Sequence, residues 1–411
     1  MKANIHKTTL VLLLTLLLVG RVGHSQESDF QFVGTKTQVT FGFRLVNNLI
    51  LVPVVLNDSL PMQFILDTGL RSTLLIVESD SIQNSANCRP VKIAGLGNAG
   101  EVTACALSDI RLCLPGIVGN GLNIIALNNE FLDLESHLGY PVQGILGYDF
   151  FSSFIVKIDY VNAKITVYKP EVFRQPAKYE KLPLKIENGR PFVKAAVYQL
   201  PGIRTDGSFL IDTGASHSLL LQPDEQQGIH LPTKTIPTVI GWGLSGQIDG
   251  LLGRIHRLEL GSFSFNNALV SFADFIQSPS PALPDRIGSI GGEILSRFTI
   301  ILDYQNETIF LRKNFQYKRL FDHNMSGLDV VVDKGSAHTF RVVNLMDHSP
   351  ASEAGIMVGD QIVALNRKGS GQLSLEEIQG IFRSGSYEPI QIVILRNKQF
   401  YSFSIILRKL I

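Results

Sequence analysis

Phe64-Ile65-Leu66-Asp67-Thr68-Gly69 and Phe209-Leu210-Ile211-Asp212-Thr213-Gly214 carry one tripeptide after the same kind of apolar run. A given tripeptide falls once in about 8,000 positions at flat residue usage, so chance is a poor account of two copies in one chain. Other features repeat at nearly the offset of 145 that separates the two carboxylates. Gly144-Ile145-Leu146-Gly147 is answered by Gly288-Ser289-Ile290-Gly291, and the run from Ser152 to Tyr160 by the run from Ser296 to Tyr304, both at 144. Gly95-Leu96-Gly97 with Gly100 is answered by Gly241-Trp242-Gly243 with Gly246, at 146. A repeat at fixed period marks an internal duplication, so the chain holds two copies of one unit, each with one Asp-Thr-Gly.

A pair of carboxylates suits one kind of chemistry. Hydrolysing an amide with water needs a base for the water's proton and an acid for the leaving nitrogen. Two carboxylates close enough to repel can share one proton, so that one serves as base and the other as acid. The glycine after each threonine has no Cβ, so its amide can approach a carboxylate while the chain turns tightly.

Both units resemble the retropepsin fold. Residues 30 to 318 together resemble a single-chain aspartic peptidase in which the usual two subunits are fused. The resemblance rests on the Asp-Thr-Gly pair, a hydroxyl six residues past each Asp (Thr73 and Ser218), and the triplet Ile145-Leu146-Gly147. In the second unit that triplet becomes Ser289-Ile290-Gly291, a mild departure. The resemblance implies Asp67 and Asp212 as the catalytic dyad, supported by Thr68, Gly69, Thr73, Thr213, Gly214 and Ser218. It implies that the Thr68 and Thr213 hydroxyls reach across the interface between units, that no covalent enzyme intermediate forms, and that neither metal nor organic cofactor is needed. The family commonly has a small residue after Asp-Thr-Gly; Ala215 obeys, whereas Leu70 followed by Arg71 does not. A charged Arg beside the dyad favours ionised carboxylates and an apolar Leu protonated ones, a balance the sequence leaves open.

The stretches 95–100 and 241–246 both spell G-x-G-x-x-G, but a dinucleotide-binding reading needs a strand before the motif and a helix opening from it. Short β-like segments follow instead, Glu101 to Leu107 and Gln247 to Arg254. They read as hairpin tips, with Leu96, Gly97, Trp242 and Gly243 as candidate flap residues over a substrate; the alternative is a surface hairpin with a buried apolar tip.

Lys2 and Lys7 precede an apolar run from Thr8 to Gly20, and Gly23-His24-Ser25 closes it with small residues, which reads as a secretory signal peptide over residues 1–25. Export to a bacterial periplasm or beyond is the expectation. The three cysteines, Cys88, Cys105 and Cys113, allow one bridge with a free thiol or three reduced core residues. Their spacing and that of the nine His residues match no zinc pattern, and His217 reads as a solvated loop residue. A net charge of +1 without a basic block gives no reason to expect nucleic acid. No stretch past the signal is long and apolar enough to span a bilayer.

Residues 325–411 resemble a bacterial-type PDZ domain, through Ser349-Pro350-Ala351-Ser352-Glu353-Ala354-Gly355-Ile356 and Val358-Gly359-Asp360-Gln361-Ile362-Val363-Ala364-Leu365-Asn366. Ser374 with Glu376 and Glu377 opens an amphipathic helix that ends near Arg383. Such a groove binds an extended peptide as an added strand. The resemblance makes Ser326, Gly327, Leu328 and Asp329 the candidate carboxylate loop and Val330 to Val332 the receiving edge. A domain that only packs against the peptidase is the alternative.

The expected class is therefore mainly β: retropepsin-like lobes at 27–172 and 178–318, joined by a Pro-containing stretch from Lys169 to Pro183, then an α+β PDZ domain at 325–411. The expected activity is aspartic endopeptidase action on exported polypeptides. The alternative is a noncatalytic peptide-binding protein that uses the cleft and the PDZ groove.

Overall fold

The computed structural model describes residues 30–78, 88–94, 101–130, 132–243, 246–273, 286–336, 338–385 and 388–411. The signal-like segment 1–25 and the hairpin-tip residues Leu96 and Gly97 lie outside the described residues. The chain is mainly β. The described helices are short: α1 (Leu134–Leu138), α2 (Tyr148–Ser153), α3 (Gly292–Leu295), α4 (Pro350–Ala354) and α5 (Leu375–Arg383).

The same pairing recurs at each Asp-Thr-Gly. Gly144–Leu146 lies parallel to Leu60–Leu66, with Leu146 opposite Leu66. Arg286–Ile290 lies parallel to Ile203–Ile211, with Ile290 opposite Ile211. Strands hemmed by neighbours on both sides read as continuous apolar runs, which is why Phe64-Ile65-Leu66 and Phe209-Leu210-Ile211 are fully buried. Each Asp thus sits one residue past a buried strand end. Its amide is held by Leu146 O at 2.9 Å for Asp67 and by Ile290 O at 3.0 Å for Asp212.

The two copies also pair with each other. Ile155–Asp159 runs antiparallel to Phe298–Asp303 with Lys157 opposite Ile301, Val156 opposite Leu302 and Ile158 opposite Ile300. Positions 157 and 301 are equivalent by the offset of 144, so the register is self-complementary about them, as at a two-fold interface. The same sheet takes in Gln38–Gly42, Lys164–Tyr168 and Thr308–Lys313. One hydrophobic core, including Phe64, Phe150, Phe209, Phe298 and Ile300, runs through both copies.

Two local readings differ from the sequence-based expectation, and the first described strand is Phe30–Phe32, whose phenylalanines bury against the strand Ile117–Asn128. The strand after the first hairpin runs from Glu101 to Leu114, twice the expected length, because its far half pairs with Ile117–Asn128. The joining stretch ends at Tyr179, since Pro183 lies within the strand Glu180–Glu187 at the end of its ladder with Thr308–Lys313. Cys88 and Cys105 form a disulfide, and Cys113 is a free, half-buried thiol.

Residues from Leu328 onward form a separate six-stranded sheet with its own core, which includes Phe340, Ile362, Ile378, Phe382 and Ile392. Leu328–Val332 is its edge strand. Ser349 and Ser374 begin α4 and α5 through capping boxes, and Gly355 ends α4 at φ 92°, a left-handed conformation that glycine adopts without cost. No helix among the described residues is long and apolar enough to cross a membrane.

Candidate active site

Thr68 and Thr213 lock the two Asp loops together. The Thr68 amide donates to Thr213 Oγ1 at 3.1 Å and the Thr213 amide to Thr68 Oγ1 at 3.0 Å. Each hydroxyl then donates into the opposite copy, Thr68 to Ile211 O at 2.6 Å and Thr213 to Leu66 O at 2.8 Å. Both threonines are fully buried. Each of these bonds contributes about 1 kcal/mol net, but losing one partner strands the other in a dry site, which costs more.

The carboxylates come together because of the glycines. Gly69 N donates to Asp67 Oδ1 at 2.6 Å and Gly214 N to Asp212 Oδ1 at 3.0 Å. A Cβ on Gly69 would stand 3.1 Å from the Asp212 carboxylate, and a Cβ on Gly214 would overlap the Asp67 carboxylate. The two carboxylates thus stand beside each other, each against the other copy's glycine. They line a cavity of about 1200 Å³ together with Leu210, Trp242, Ser289 and Arg286.

The two acids are not equivalent. Asp67 titrates well above the usual carboxylate range, first because it is buried and then because the charge of Asp212 opposes its ionisation. Burial also raises Asp212, but Arg286, the Gly214 amide, Asp67 and Arg190 all pull it back down. Both carboxylates are thus held above the ordinary range, so the pair keeps one proton between them, and the positive charges of Arg286 and Arg190 act on the Asp212 side.

Arg286 owes its place to a slip in the strand pairing. Ser208 lies opposite Arg286 but Phe209 opposite Gly288, so Arg286 falls on the face that Leu210 and Ser289 present to the cleft. Irregularities of this kind commonly re-aim a side chain beside an active site. Arg286 is 9% exposed, and burial pushes its guanidinium down to about 9. Arg190 is buried as well and follows the left-handed turn Asn188-Gly189.

Of the remaining candidate residues, Thr73 donates through its amide and hydroxyl to Asp149 Oδ2, both at 3.3 Å, and the Ser218 hydroxyl to Leu269 O. They brace the loops that follow the two carboxylates. Leu70 is fully buried in the first copy's core and Arg71 is exposed. Trp242 and Gly243 lie at the end of a hairpin in which Thr235–Gly243 pairs with Gly246–Arg254. The Trp242 ring stacks on His137 of α1, centroids 3.8 Å apart at 22°.

His217 departs from the solvated-loop expectation. It is half-buried, its Nε2 lies 3.0 Å from Ser289 Oγ, and burial, reinforced by Arg286, pushes it down to about 4. In the C-terminal sheet, Gly327 takes φ 81° and a Cβ there would overlap Ser349. The Leu328 amide is committed to Ser326 Oγ at 3.1 Å, and Asp329 accepts from Asn344 Nδ2 at 2.9 Å. Val330 is buried in that domain's core.

Sequence reasoning missed Arg286, Arg190 and His137. The first two had a signal: the repeat places Arg286 opposite Val142, and the matching strand registers place Arg190 opposite Leu49. His137 had none, because its partner Trp242 is brought to it only by folding.

No curated protein matches the chain. Residues 197–294, which hold Asp212, Thr213, Gly214, Ser218, Trp242 and Arg286, match the family model described as aspartyl protease, so this stretch is an aspartyl protease-like domain.

Proposed function

We propose that the chain is an aspartic endopeptidase built from two retropepsin-like lobes, 27–172 and 178–318, with a C-terminal PDZ-type domain at 325–411. The observation that carries this reading is the dyad: two carboxylates brought together, one from each copy, each facing the other copy's glycine. A peptide-binding cleft alone has no use for that arrangement. Support for the C-terminal reading comes from an edge strand, Leu328–Val332, beside a capped helix, α5. The signal-like residues 1–25 point to exported polypeptides as substrates.

In this mechanism a water held between the carboxylates loses a proton to Asp212 as its oxygen attacks the peptide carbonyl carbon. Asp67 gives its proton to the carbonyl oxygen, and the tetrahedral diol is neutral. Asp212 then returns its proton to the nitrogen while one diol hydroxyl gives its proton back to Asp67, so the C–N bond breaks to release amine and carboxylic acid and the dyad is restored. Arg286 and Arg190 keep Asp212 ionised for the first step. The reciprocal threonine bonds hold the two acids in place, so little reorganisation is needed during the reaction.

The test is cleavage of casein between pH 3 and 8 by the wild type and by Asp212→Asn. Activity lost in the variant, with unchanged thermal unfolding, supports the reading. A wild type that binds casein but cuts it at no pH in that range turns the assignment to a binding protein.

A further inference from the structure

The edge strand Leu328–Val332 pairs with Phe340–Leu345 on one side and with no strand on the other among the described residues. A free edge is a template for an added strand, and proteins commonly shield one with a helix. Here α1, from the N-terminal copy, packs against that strand. Its cap residue Gly139 points between strand and helix α5: a Cβ there would lie 2.8 Å from Leu375 Cβ and 3.5 Å from Val332 Cγ2. Asp133, which caps α1 by accepting from Ser136 N at 3.3 Å, also pairs with Lys334 at 3.5 Å, just past the strand.

His137 of α1 also stacks on Trp242 in the cleft. Five residues are too few to form a stable helix unaided, so contacts on its two sides decide where α1 sits. The edge strand and the Trp242 hairpin therefore both hold one weak element.

Resting on the PDZ-type reading, which makes Leu328–Val332 a receiving edge for an extended polypeptide strand, we propose that α1 occupies that edge in the resting protein and that a strand pairing there draws α1 off and frees Trp242. Because the Leu328 amide is already committed to Ser326, the site reads the strand's backbone along the edge and does not need a terminal carboxylate. Insofar as Trp242 closes over substrate, the consequence for cleavage rests on the peptidase reading; the docking and its coupling to Trp242 do not.

Trp242 is the sole tryptophan, so its fluorescence reports the coupling without catalysis. The probe is a pool of tryptophan-free decapeptides rich in Val, Ile and Thr, in free-acid and amidated forms, titrated into Asp212→Asn protein by fluorescence and calorimetry. The expected result is a saturable red shift of Trp242 with both forms. His137→Ala in the same background should begin red-shifted and show no further change on saturation. Lys334→Ala should bind the pool about two- to five-fold more tightly, the range that loss of an exposed ion pair allows. Binding by calorimetry with an unmoved Trp242 overturns the coupling. A red shift that persists in His137→Ala shows that the peptides enter the cleft and overturns the site. Binding of the free-acid form alone overturns edge reading, and no binding to either the Asp212→Asn protein or its Lys334→Ala form overturns the docking surface.

Discussion

Gly214 presents its backbone to the Asp67 carboxylate so closely that a single methyl group on it would occupy the carboxylate's place. The reciprocal approach, Gly69 to Asp212, leaves 3.1 Å to that methyl. The two glycines of the repeated tripeptide are thus unequal, and so are their substitutions. Gly214→Ala must push Asp67 aside by an ångström or more, and a displacement of that size costs about 100-fold in rate. Gly69→Ala needs only a few tenths of an ångström and should cost several times less. Steady-state kinetics on both variants, with unfolding curves to confirm that each folds, decides the order.

Thr213→Val keeps the shape of the side chain but leaves the Thr68 amide and Leu66 O without their partner. Two buried polar groups left unpaired at 1–3 kcal/mol each predict a loss of about 2–6 kcal/mol. Denaturant unfolding should show this as a lower midpoint at unchanged slope. A loss below about 1 kcal/mol would mean that solvent reaches the joint.

Arg286 stands where Val142 stands in the first copy, two residues before the matching glycines Gly288 and Gly144. Its positive charge favours ionised Asp212, so removing it in Arg286→Gln raises the Asp212 pKa. The acid limb of the pH–rate profile, which follows protonation of the base, should move to higher pH, and Arg286→Lys should largely restore it. An acid limb that stays in place in Arg286→Gln would assign the asymmetry to the Gly214 amide, Asp67 and Arg190 instead.

His323 lies buried in the stretch leading to the C-terminal domain, where its Nε2 accepts from the Leu410 amide at 3.0 Å. Burial, with Arg254 adding to it, pushes this imidazole from 6.5 down to about 4. The unfolded chain therefore takes up the proton first, and stability is lost as pH falls from about 6.5 to 4, by about 3 kcal/mol in full. His323→Gln should flatten that part of the stability–pH curve measured by thermal unfolding.

The carboxylate pair was legible in the sequence because duplication writes the same residues twice, and a pair that takes one residue from each copy leaves two equal marks. The strand ends that carry Asp67 and Asp212 were legible for a related reason: only a strand hemmed on both sides is apolar at every position, as Phe64-Ile65-Leu66 and Phe209-Leu210-Ile211 are. The capped helix after Ser374 followed from local chemistry alone. Which carboxylate keeps the proton was decided by tertiary structure, because it depends on how near Arg286 and Arg190 come to Asp212, and Coulomb interactions follow distance in space, not separation along the chain. The same holds for the joining of α1, Trp242 and the edge strand Leu328–Val332, three segments far apart in sequence whose contacts exist only once both copies and the C-terminal sheet have folded.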